Sequence, residues 1–228
     1  MRAAANLERV RGDIKAAAAV AGRDFQRITI VAVTKTVPPA VIKEAVESGL
    51  SDLGENRVQE LLEKMPGLPG NIRWHFIGRL QTNKVKAVIG RVHLIHSLDR
   101  WALAEEIQRR AAEQDRRVPV LVQLNVAGET TKQGLAVNEA ADFVREVSKL
   151  TALQVCGLMT IAPMVGNAEE VRPVFRELRL VAENLHKMQV PGVTMKYLSM
   201  GMSNDYRVAV EEGANLLRLG TVLFGVRA

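Results

Sequence analysis

The sequence contains a single cysteine, Cys156, among 228 residues. That rules out an internal disulfide and a four-cysteine metal site, and it makes a reducing, cytoplasmic setting the expectation. Aromatic residues are scarce, at 4%, and no basic-aromatic recognition motif occurs. The net charge of +6 is therefore not read as a nucleic-acid footprint. Its cations alternate with acids along stretches such as "WALAEEIQRRAAEQDRR", the pattern of a solvated helix face. No apolar run reaches membrane-spanning length. In the opening "MRAAANLERVRGDIK", Glu8, Arg9, Arg11, Asp13 and Lys15 interrupt any export signal, and the segment reads as an alanine-rich helix. Linkers are missing as well: 17 Gly and 8 Pro are dispersed, and 47% hydrophobic residues supply one sizeable core. Residues 1–228 are expected to form one domain.

What the sequence does have is a rhythm. Short β-branched runs alternate with stretches of helical period: "TIVAV" then "PPAVIKEAVESG", "SDLG" then "ENRVQELLEKM", "IRWHFIG" then "QTNKVKAVIG", "VHLIHS" then "LDRWALAEEIQRRAAEQ". The order continues to "ANLLRLGT" near the end. About eight strands alternating with helices, in a chain near the usual ~250 residues, predict an α/β fold: a single (β/α)8 TIM barrel with an extra N-terminal helix. An open doubly wound sheet is the alternative. In such barrels chemistry gathers at the C-terminal ends of strands, which singles out Lys35, Asn56, His75, Met159, Ser199 and Arg218.

Lys35 ends the apolar run "TIVAV" one residue past Thr34. Partial desolvation there would free its amine for attack on a carbonyl; alternatively the side chain snorkels to the rim or pairs with Glu55. The segments "SMGMSND" and "RLGT" bring Ser199, Met202, Ser203, Gly220 and Thr221 to the last two strand-to-helix loops, the usual phosphate-binding place in this barrel. Taken singly, each is a turn or cap residue. Arg218, set between two leucines, requires an acceptor: a structural carboxylate or a ligand atom. His75 is either a general base or a satisfied structural histidine. "HLIH" lacks metal-ligand spacing, and Cys156, inside an apolar strand, is expected in the core.

Five segments, "VAVTKTVPP", "GENRVQELLEK", "WHFIGRLQTNKVK", "GLMTIAP" and "LSMGMSNDYRVAVEEGANLLRLGTVLFG", together resemble the YggS/PROSC proteins, the pyridoxal 5′-phosphate (PLP) homeostasis proteins. The likeness runs in order over nearly the whole chain. It implies the barrel of the alanine racemase N-terminal domain, with PLP held at Lys35 as a Schiff base, an internal aldimine. It implies that Asn56 and Met159 stand near the cofactor ring. It also implies that Ser199, Met202, Ser203, Gly220 and Thr221 stand at the phosphate and Arg218 beside the pyridine nitrogen. Thr34 departs mildly from the serine expected before the lysine. Alanine racemases carry a second domain and a tyrosine base opposite the lysine. This sequence ends soon after its last strand, so neither is expected. The function implied is carriage and regulation of the vitamin B6 pool, without turnover and as a monomer, with apo PLP-dependent enzymes as partners. A weak amino-acid racemase using His75 or Tyr197 opposite Lys35 is the alternative.

Overall fold

The computed structural model describes residues 2–129 and 131–225. Eight parallel strands close into a barrel in sequential order: β1 Thr29–Val33, β2 Asp52–Glu55, β3 Arg73–Phe76, β4 Leu94–Leu98, β5 Val118–Gln123, β6 Leu153–Met159, β7 Tyr197–Ser199 and β8 Leu216–Leu219. The ring is completed by β1 lying beside β8, from Thr29 opposite Leu216 to Ala32 opposite Leu219. The helices are α1 Arg2–Val20, α2 Pro39–Glu47, α3 Val58–Lys64, α4 Val85–Val88, α5 Trp101–Ala112, α6 Ala140–Val147, α7 Arg172–Lys187, α8 Tyr206–Glu211 and α9 Thr221–Phe224. Every strand is covered by helices outside and by its neighbours inside, so β2, β4 and β8 are buried along their whole length. Continuous apolar runs, rather than alternation, follow from that double burial.

Helix boundaries match their local chemistry. Pro39 occupies the first turn of α2, where a missing N–H costs nothing. In α7, Phe175, Leu178, Ala182 and Leu185 recur at helical spacing and face the barrel. "QTNKVKAVIG" differs from expectation. It yields a 3-10 turn at Thr82–Lys84 and the single turn of α4, because Gly90, at φ +78°, ends a segment of β-branched valines.

The expected N-terminal helix is α1. It buries Leu7, Val10, Ile14 and Ala17 against α8 and α9. Asn6 Nδ2 donates to Leu223 O at 2.9 Å. Just past α1, Arg23 donates to the carbonyls of Ala214 (2.9 Å) and Gly213 (3.0 Å) and to that of Val210, satisfying the C-terminal end of α8.

Inside the barrel, Val31, Leu94, Leu121, Cys156, Met159 and Leu216 pack as one cluster. Cys156 is thus a core residue, and burial pushes its thiol up. Strands β6 and β7 approach so closely at Gly157 that a Cβ there would lie 1.9 Å from the Tyr197 carbonyl oxygen. Among the described residues no helix is long and apolar enough to cross a membrane.

Candidate functional site at the barrel mouth

A cavity of about 440 Å³ opens at the C-terminal ends of the strands, lined by Val33 at the end of β1, Met202, Ser203 and Asp205 from the β7–α8 loop, and Arg218, Gly220 and Thr221 from β8 and its loop. The β6–α7 loop supplies the remaining wall, including Met164 and Gly166. Four residues singled out for a phosphate, Met202, Ser203, Gly220 and Thr221, are therefore brought together with Arg218. Ser203 Oγ accepts the Val222 N–H at 3.1 Å, which ties the two loops to each other. Gly201 turns the chain at φ +90°, and a Cβ there would meet Ala209 Cβ at 2.6 Å, so the close loop needs glycine.

Arg218 is 5% exposed. Its Nη1 donates to Ser199 Oγ at 2.6 Å and its Nη2 to Thr160 O at 2.8 Å. The structural carboxylate considered as its acceptor is absent from these contacts. A guanidinium has more donors than those two acceptors satisfy. Burial pushes its pKa down to about 10, partly countered by the charge of Asp205. Asp205, which the sequence did not single out, is itself buried in the cavity wall. Desolvation raises its carboxyl, although the Met202 N–H binds it.

Ser199 takes a different place from the one expected. It is fully buried and its Oγ lies between Arg218 and His96, so its hydroxyl is engaged below the cavity rather than lining it. Met159 belongs to the interior apolar cluster. Asn56 lines a separate groove of about 740 Å³ with Arg57, Arg79 and Lys84. Lys35 stands two residues past Val33 and is exposed, which corrects the expectation of desolvation. Glu55, the partner considered for it, binds Lys64 at 2.6 Å.

Below the cavity a polar chain crosses the apolar interior. Ser199 Oγ lies 2.9 Å from His96 Nδ1, His96 Nε2 lies 2.9 Å from His75 Nδ1, and His75 Nε2 lies 3.0 Å from Asp52 Oδ1. Arg73 closes the far end on Asp52 at 2.8 and 2.6 Å. His75 thus sits in mid-barrel with both ring nitrogens engaged. Burial, then the neighbouring His75, Arg218 and His93, hold His96 well below the ordinary imidazole range. The donor and acceptor roles of the ring nitrogens along this line follow the tautomers of the two imidazoles, while Arg218 donates to Ser199 at one end and Arg73 to Asp52 at the other. Asp52 escaped sequence reasoning, and His96 entered it only through "HLIH", as a residue without metal-ligand spacing, although two histidines inside apolar strands are a visible anomaly.

The alanine racemase N-terminal domain family matches residues 5–228. The chain belongs to that family. A pyridoxal phosphate homeostasis protein of Aquifex aeolicus (strain VF5) is 47% identical over 228 residues, covering 100% of this chain and 99% of the relative. The protein of the same name from Escherichia coli (strain K12) is 36% identical over 227 residues, covering 97% and 95%. Among solved structures, PipY of Synechococcus elongatus PCC7942, with PLP bound, is 36% identical, covers 93% of this chain and 100% of that one, and has a TM-score of 0.81. Alanine racemase of Clostridium difficile 630, at 17% identity and a TM-score of 0.77, shares the fold over 99% of this chain and 57% of its own length.

The residues at the mouth fit a phosphorylated pyridine aldehyde. Arg218 brings a buried cation to the cavity wall, Ser203 and Thr221 bring hydroxyls, and Lys35 carries an amine two residues past Val33, which lines the cavity.

Proposed function

We propose that this chain binds PLP at the barrel mouth and serves vitamin B6 homeostasis as a carrier. In this reading Lys35 holds the aldehyde covalently and gives it up to an incoming amine or an apo-enzyme. PLP supplies an electrophilic aldehyde on an electron-withdrawing ring. Ser203, Gly220 and Thr221 grip the phosphate. Arg218, a permanent cation, faces the ring nitrogen and keeps it unprotonated, which weakens the ring as an electron sink and disfavours turnover. The observation that carries the reading is Arg218: a buried cation held by two neutral acceptors, in one cavity with two hydroxyl-bearing loops, in a chain 47% identical throughout to a pyridoxal phosphate homeostasis protein.

Support for carriage over racemization comes from the two side chains a racemase would need opposite Lys35. His75 has both nitrogens engaged. Tyr197 opens β7, at the end of that strand remote from the mouth. Racemization needs acid/base groups on both faces of the reacting carbon.

The test is the visible spectrum of the purified protein before and after borohydride, followed by peptide mapping. A yellow band that reduction fixes onto Lys35 is expected, and Lys35→Ala should lose it. A colourless protein that refuses added PLP would sink the reading. Amino acids incubated with the loaded protein in deuterium oxide should keep their α-hydrogens; exchange would mean a racemase.

A further inference from the structure

The turn that carries Lys35 is strained and held from one side by a single ammonium group. Past β1, residues Thr34 to Val37 form a turn closed by the Val37 N–H on Thr34 O at 2.9 Å. Thr36, the third residue of that turn, has φ +59°. Turns of this kind take glycine or asparagine there, because a β-branched side chain is crowded in the left-handed region. Such a conformation persists only where the surroundings over-determine it.

Those surroundings are explicit. Glu60 Oε2 accepts the Thr36 N–H at 2.8 Å. Lys64 Nζ donates to Glu60 Oε2 at 2.8 Å, to Glu55 Oε1 at 2.6 Å and to Thr34 O at 2.7 Å. Thr34 Oγ1 donates to the same Glu55 oxygen at 2.6 Å. The Lys64 side chain is 9% exposed and that of Glu55 0%. One ammonium therefore uses all its donors on the two residues that flank Lys35, directly at Thr34 and through carboxylates at both. Glu60 and Lys64 stand at i and i+4 of α3, one above the other on the same face. Burial would raise the Glu60 carboxyl, but Lys64 and the Thr36 N–H outweigh it, so Glu60 is ionised at neutral pH.

We infer that Glu60 and Lys64 are positioning residues for Lys35: they clamp the turn on both sides of it and so present its amine to the mouth in one orientation. The inference rests on the cofactor reading above. It also accounts for the segment "GENRVQELLEK", which places Glu55, Glu60 and Lys64 where the cavity itself does not use them. Capture of an aldehyde scales with the fraction of time the amine is aimed at it. Losing the clamp should therefore slow capture even in a folded protein.

The test compares the parent chain with Glu60→Ala, Glu60→Gln and the double variant Glu60→Ala/Thr36→Gly, each confirmed folded by its melting curve. The rate at which added PLP becomes fixed by borohydride on Lys35 is measured. In parallel, hydrogen exchange at the Thr36 amide is followed without cofactor. Glu60→Ala is expected to capture about tenfold more slowly, the factor that one hydrogen bond to a charged group represents. Its Thr36 amide should exchange faster by a similar factor. Glu60→Gln keeps an acceptor without the charge and falls between; it carries the test if the alanine variant does not fold. In the double variant, glycine enters the left-handed region freely, so several-fold of the lost rate should return, which a merely stabilising role for Glu60 would not produce. Capture by Glu60→Ala at the parent's rate, or a double variant no faster than the single, overturns the inference. If the parent itself captures nothing, the cofactor reading fails. Thr36 exchange then decides the clamp alone: unchanged exchange refutes it and accelerated exchange upholds it.

Discussion

Arg218 bears a charge that the interior accommodates without a salt bridge, on two neutral acceptors. Such a group lowers the stability of the protein that holds it, since desolvation of a guanidinium exceeds what a hydroxyl and a carbonyl return. Arg218→Met should therefore leave the melting temperature of the cofactor-free chain unchanged or raise it, by the equivalent of about 1–4 kcal/mol. The same variant should bind PLP more weakly and with a shifted visible band. A large drop in melting temperature would mean that the arginine is structural. Arg218 was legible in the sequence because a lone arginine between leucines at a strand end has few explanations. Lys35 was legible by the same reasoning, but its surroundings were not. Glu55 was a plausible partner for it on sequence grounds, and only the fold reveals that Lys64 binds that carboxylate.

Among the elements, β2, β3 and β4 share a buried line of polar atoms from Asp52 through His75 to His96. Burial alone would raise the Asp52 carboxyl, yet the bonds from His75, Arg73 and Ser51 hold it below its ordinary value of 3.8. A carboxyl depressed in the folded state contributes stability above its unfolded pKa and loses that contribution as pH falls through the folded one. Asp52→Asn should accordingly be less stable than the parent at pH 7, by roughly 3 kcal/mol. The gap, read from denaturant midpoints, should begin to close below about pH 4. A gap independent of pH would contradict the assignment. Between β6 and β7 the decisive feature is steric. Gly157→Ala would push a methyl into the Tyr197 carbonyl and should lower the melting temperature by about 6 °C or more. Element order and strand identity could be read from apolar runs and their punctuation. The polar line could not, because its members come from β2, β3, β4 and β7 and meet only when the barrel closes. The shortness of α4 was hidden by a helical period in residues that make barely one turn.

For the molecule as a whole, closure of β1 on β8 makes a sheet without edges, with the mouth built from the end of β1 and the three loops that follow β6, β7 and β8. A ligand bound there ties those loops together and stabilises the whole chain by mass action. Saturating PLP, at about a hundred times its dissociation constant, should add about 2.7 kcal/mol and raise the melting temperature by about 5–10 °C. Lys35→Ala should lose most of that shift; an equal shift in both would separate binding from covalent capture. The line of hydrogen bonds from Arg218 to Asp52 also reports on the mouth. Because each group in it bonds the next, from Arg218 through Ser199 and His96 to His75, the two imidazoles act as an indicator wired to the mouth. Any occupant that draws Arg218 away from Ser199 alters the environment of rings that never touch it. Nitrogen resonances of His96 and His75 would then register loading from within the core, a readout that needs no dye, no label at the surface and no colour from the cargo.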